Sequence, residues 1–113
     1  MAAIPPPKEF GLQWQAEYGR TRMRWMFVIL GRNKSVLTEI KEELAKDGHR
    51  LYSISYHRSE STYVFILAKL AQFNKEQLQA EILRVHRSCA RRGAIGLDDV
   101  DVEELHASDL ERN

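Results

Sequence analysis

The chain has 113 residues, about the length of one domain, and its 43% hydrophobic and 29% charged content excludes a disordered or fibrous protein. The net charge of +1 divides into +4 over residues 1–36, zero over 37–74, +3 over 75–95 and −6 over 96–113. That division excludes a uniformly basic nucleic-acid binder. The single Cys89 has no partner for an intramolecular disulfide and fits a reducing compartment. The longest apolar run, Trp25 to Leu30, is far short of the roughly 20 residues a spanning helix needs. Pro5-Pro6-Pro7 stands where a signal peptide would carry an apolar stretch. The expectation is a cytoplasmic protein with no membrane partner. Residues 1–22 read as a Pro-rich, aromatic extension, 23–103 as the domain, and 104–113 as an acidic tail.

Along the extension, Phe10, Trp14 and Tyr18 recur at i, i+4 and i+8, a spacing that stacks three rings on one helical face. Large aromatics so grouped are expected to dock on the domain's own sheet or on a partner. Arg24 to Leu30 follows as a strand, rich in aromatic and β-branched residues and closed by Gly31. Trp25, Phe27 and Ile29 alternate with Met26, Val28 and Leu30, so both faces are apolar and the strand reads as central and covered on both sides. Asn33 or Ser35 can cap the next helix, whose apolar stripe is Val36, Leu37, Ile40 and Leu44 and which stops at Gly48. His49 to His57 and Thr62 to Leu70 read as two strands joined by the polar turn Arg58-Ser59-Glu60-Ser61, an antiparallel hairpin.

Asn74 caps a second helix, and Gln77 three residues on completes a variant capping box. Leu78, Ile82, Val85 and Cys89 share one face, and Gly93 or Gly96 ends the helix after Arg91 and Arg92. Leu97 to Val102 is a short acidic last strand. The order βαββαβ predicts an α+β, ferredoxin-like sandwich, with a four-stranded antiparallel sheet and two helices on one face. Strands one and three are then central and strands two and four are edges. Two helices cover one sheet face, yet strands one and three are apolar on both. The second face therefore requires the N-terminal segment, a second copy of the chain, or a bound ligand such as a nucleic acid.

Within this pattern, Gly31-Arg32-Asn33-Lys34-Ser35-Val36-Leu37-Thr38-Glu39-Ile40, Leu44-Ala45-Lys46-Asp47-Gly48 and Leu51-Tyr52-Ser53-Ile54-Ser55 resemble an ACT domain, most nearly the modules of glycine-cleavage-repressor-type proteins. The resemblance implies a small regulatory module that forms homodimers through its sheet or the sheet edge and binds a small effector. ACT domains that bind amino acids commonly show an Asp-Arg-Pro-Gly-like turn before the first helix. Here Arg32-Asn33-Lys34-Ser35 stands in that place, beside the free N–H groups of a helix start, so the implied effector at Gly31, Arg32, Asn33, Lys34 and Ser35 is anionic. The topology is also that of RNA-recognition motifs, where Phe27, Tyr63 and Phe65 fall at base-stacking positions and imply single-stranded RNA binding. A third resemblance, carried by Arg92-Gly93-Ala94 and Asp98-Asp99, is to ribonuclease E inhibitor B-type regulators and implies a protein partner.

His49, His57, His86 and His106 lack metal-ligand spacing with Cys89 or with one another. His86 and Cys89 lie three apart on one helix, but a nucleophile pair also needs an orienting group and a cleft. Cys89 on the apolar stripe reads as a core thiol, and Asp98, Asp99 and Asp101 as an acidic edge strand. There is no phosphate-binding glycine loop and no nucleophile elbow. The expectation is a non-enzymatic regulatory or adaptor protein without cofactor or metal. It would assemble through its sheet, with Trp25, Phe27, Tyr63 and Phe65 as the contact surface.

Overall fold

The computed structural model describes Phe10 and residues 12–105. The expected tail at 104–113 lies mostly outside them, as do the prolines at 5–7. The elements run β1 (Met23–Gly31), α1 (Lys34–Ala45), β2 (Arg50–His57), β3 (Thr62–Ala71), α2 (Lys75–Arg91) and β4 (Gly96–Glu104). Short 3-10 turns occupy Ala16–Gly19 and Arg58–Glu60. The strands form one sheet in the order β2-β3-β1-β4, every neighbouring pair antiparallel, and the class is α+β.

Strand β1 pairs along its full length with β3, from Met23 opposite Ala71 to Gly31 opposite Tyr63. Its side chains alternate without a break: Met23, Trp25, Phe27, Ile29 and Gly31 are buried, and the residues between them are partly exposed. The buried set packs with Phe65 and Leu67 of β3, Leu97 and Val100 of β4, Leu37, Ile40 and Leu44 of α1, and Leu78, Ile82, Val85 and Cys89 of α2. Both helices therefore lie on one face of the sheet. Aromatic and branched side chains fill the space between the layers because each removes roughly 1.5–3 kcal/mol worth of apolar surface from water.

Local chemistry sets the helix ends. The Asn33 side chain accepts from the Ser35 N–H at 2.9 Å and starts α1. Asn74 and Gln77 exchange side-chain and backbone bonds of 2.7 and 2.9 Å, a complete capping box on α2. Gly48, at φ +92°, makes the left-handed turn that delivers the chain from α1 to β2. At Gly31 the requirement is room: a Cβ there would lie 2.9 Å from the Leu37 side chain, so glycine lets the first turn of α1 close onto β1.

Two expectations change. The N-terminal aromatics do not lie on a helix, because among the described residues this stretch holds only the Ala16–Gly19 turn. Trp14 instead stacks on Trp25 at 6.3 Å with the planes 8° apart, and Tyr18 meets both rings edge-on at 5.6 and 5.7 Å. Phe73 packs tilted against Trp25 at 5.6 Å. Attraction between a ring's edge and another ring's face holds this group where the core would otherwise end open. The second concerns the N-terminal segment as a cover for the other sheet face: its described residues Phe10, Leu12, Trp14 and Tyr18 pack against the helix-side core, and the even-numbered side chains of β1 are partly exposed.

Candidate functional site

The outer face, partly exposed among the described residues, has an ordered chemistry that follows from strand register. In an antiparallel sheet, residues opposite one another share a face. One row across the sheet reads Arg50, Ala68, Met26, Asp101 from β2 to β4, and the next reads Ser53, Ile66, Val28, Asp99. The third is Ser55, Val64, Leu30, Gly96. The two central strands thus lay a contiguous apolar stripe along the face, each of its side chains partly exposed. Asp99 and Asp101 flank it on β4; among the described residues each accepts the backbone N–H of the next residue, at 2.9 and 2.8 Å, and no ion pair. Arg50 flanks it on β2, exposed and without an ion-pair partner among the described residues.

One end of the stripe is closed by charge. Arg24 projects onto this face, forms an ion pair with Glu103 of β4, and lies 6.0 Å from the ring of Tyr52, which sits at a bulge in β2. The cation is thereby held from both flanks of the sheet. Among the described residues, strand β2 is an edge with β3 as its only neighbour. Leu51, Tyr52, Ile54 and Tyr56 on it are all exposed. An edge with free backbone groups and large apolar side chains is a pairing surface.

The residues expected to form the contact surface are elsewhere. Trp25 and Phe27 are fully buried and Phe65 is 1% exposed, all on the helix-covered face. Tyr63 shares that face, partly buried with its ring 4.6 Å from Tyr56. This corrects the expectation: the aromatic half of β1 builds the core, and the aliphatic half, Met26, Val28 and Leu30, meets solvent. Phe27 and Phe65, enclosed beneath the helices, are not available to stack on bases, while Tyr63 stays partly exposed.

The β1–α1 loop forms one side of a cavity of about 160 Å³ lined by Gly31, Arg32, Asn33, Val36, Gly93, Ala94 and Ile95. Lys34 and Ser35 are exposed and outside its lining. The Asn33 side chain is spent on the helix cap, Arg32 is the one charge, and the rest of the wall is mostly apolar. Ligand sites commonly exceed roughly 300 Å³, so this cavity suits only a small group.

Two polar clusters were not foreseen. His49 is buried, with Nε2 2.7 Å from Oε1 of Glu81, and Lys69 donates to the same oxygen at 3.0 Å. Burial works against a charge on Glu81, but the hydrogen bonds and charges of His49 and Lys69 outweigh it and hold its pKa down at about 2. Nδ1 of His49 is buried without a partner. In the second cluster Glu43 of α1 takes a hydrogen bond from Ser88 of α2 and ion pairs from Arg91 at 2.7 Å and Arg92 at 3.3 Å. The Ser88 hydrogen bond, against burial and with help from both arginines, lowers the Glu43 pKa. The available signal was position: Glu81 and Ser88 lie on the buried stripe of α2 among Leu78, Ile82, Val85 and Cys89. Polar residues on such a stripe require partners. Cys89 is buried, and its thiol is pushed up to about 12 by burial and by nearby Glu43, so it stays protonated.

No family model matches this chain, and no curated protein does. Among the described residues no group of three or more His, Cys, Asp or Glu could hold a metal ion, and no helix is long and apolar enough to cross a membrane.

Proposed function

We propose that this chain is a ferredoxin-like, ACT-resembling regulatory or adaptor module that acts without catalysis, by assembling through its sheet with a second copy. The fold reading is supported by the element order βαββαβ and the strand order β2-β3-β1-β4. The observation that carries the functional reading is the outer face: an apolar stripe on the two central strands, flanked by polar and charged side chains. A solvated sheet face would alternate in polarity with the buried one, and this one does not. Contiguous exposed apolar surface with a polar rim is the mark of an interaction site. The Cys89 thiol is buried and protonated, and His49 is buried against Glu81, which supports a role for this core in packing.

Sedimentation velocity over about 1 to 500 μM tests the reading, a range that brackets the affinity of a small interface. A concentration-dependent monomer–dimer equilibrium is expected. Val28→Glu, which places a charge in the middle of the stripe without touching the core, is expected to leave only monomer. A wild-type chain that stays monomeric throughout refutes the reading.

A further inference from the structure

We infer that the two copies pack face to face about a two-fold axis parallel to the strands, so that β2 of each copy lies over β4 of the other. The inference rests on the reading that the outer face is the assembly surface, and it fixes how that surface is used. A rotation about such an axis exchanges the two sides of the sheet and keeps position along the strands. Each cross-strand row therefore meets the same row of the second copy in reverse order. In the row Arg50, Ala68, Met26, Asp101, the Arg50 guanidinium comes over the Asp101 carboxylate of the second copy, and Ala68 over Met26. In the next row Ile66 meets Val28, and Ser53 meets Asp99. In these rows apolar side chains stay on apolar ones, and Asp101 and Asp99, which have no ion-pair partner among the described residues, each gain a donor; in the row beyond Met26, Leu70 comes over Arg24, whose charge stays with Glu103.

The other two-fold arrangement, with the axis across the strands, keeps β4 over β4. Asp99 and Asp101 of one copy would then face the same acids of the other, while Arg50 would face the opposite strand β2. Like charges brought together at an interface are disfavoured, so the flanking charges select the first arrangement and reject the second. Aligned sheets cross at about 30°, which shifts the flanks by about one residue, within reach of an arginine side chain. Four strands about 4.8 Å apart and about eight residues at about 3.3 Å rise give a face of about 500 Å². The pair would bury about 1,000 Å², the lower edge for a specific interface, so the dimer is a weak one set by both the stripe and the charges.

Charge reversal tests the orientation. Arg50→Asp and Asp101→Arg are both at exposed positions, and circular dichroism with thermal melting confirms that each variant folds. Each variant alone carries two repulsive contacts, and its dimer is expected to weaken by about 10-fold or more. An equimolar mixture carries two matched contacts in the heterodimer, which is expected to return to within about 3-fold of the wild-type affinity. Native mass spectrometry and sedimentation read both. If the wild type dimerises and the Asp101→Arg homodimer is as tight or tighter, the orientation is overturned while assembly through the sheet stands. If both single variants dimerise like the wild type, the contact lies away from these flanks and the orientation is equally overturned. If the wild type is monomeric, the reading of the sheet as an assembly surface falls first.

Discussion

Replacing Glu81 with Gln removes the charge that His49 and Lys69 share as an acceptor. The side chain is 8% exposed, and its carboxylate is the shared acceptor for His49 at 2.7 Å and Lys69 at 3.0 Å. Its pKa falls from an ordinary 4.5 to about 2, which at roughly 1.4 kcal/mol per pH unit corresponds to about 3 kcal/mol of folding free energy. Breaking a buried ion pair from one side commonly costs roughly 3–5 kcal/mol, so the two routes agree. The lowered pKa fixes the sign: the contribution is complete above the unfolded value near 4.5 and is lost as pH falls through about 2. Urea unfolding at pH 7 should show Glu81→Gln less stable by about 3 kcal/mol, or about 12–24 °C in melting temperature for a domain of this size. The gap between variant and wild type should close as the measurements are carried down toward pH 2. A variant within about 0.5 kcal/mol of wild type at pH 7, or a gap that does not change with acid, would show that the cluster does not hold α2 to the sheet.

Gly31→Ala tests the tight approach of α1 to β1. The new Cβ would meet the fully buried Leu37 at 2.9 Å, and a loss of about 1–3 kcal/mol in urea unfolding is expected, with no loss meaning that Leu37 has room to move. Cys89, protonated and buried, should react with a chromogenic disulfide reagent at pH 8 only as fast as the protein unfolds. Rapid labelling of the native protein would contradict its place in the core.

Much of the secondary structure is legible because it is local. The Asn74–Gln77 box, the Gly48 turn and the hairpin from His57 to Thr62 are each set by residues a few positions apart, and each is present in the fold. What fails is the choice between two apolar faces of one strand. Hydropathy ranks Trp25 and Phe27 as no more suited to the core than Val28 and Leu30. Volume makes the choice, since the gap between sheet and helices takes the large rings. The pairing of His49 with Glu81 spans 32 residues and depends on how α2 crosses the sheet. The aromatic spacing of residues 10 to 18 suggested a helix, but the rings were placed by Trp25, a residue outside the repeat.

The chain has two tryptophans, and they are stacked on each other. Its tryptophan emission therefore comes from a single junction, where the N-terminal segment lies against the first strand. Both indoles are held in fixed, asymmetric surroundings by this contact, so their near-ultraviolet circular dichroism should fall when the segment lifts. Fluorescence will report the release of that segment before it reports the melting of the sheet. Amide circular dichroism follows the sheet itself. A difference between the two signals would measure how firmly the extension is attached to the domain.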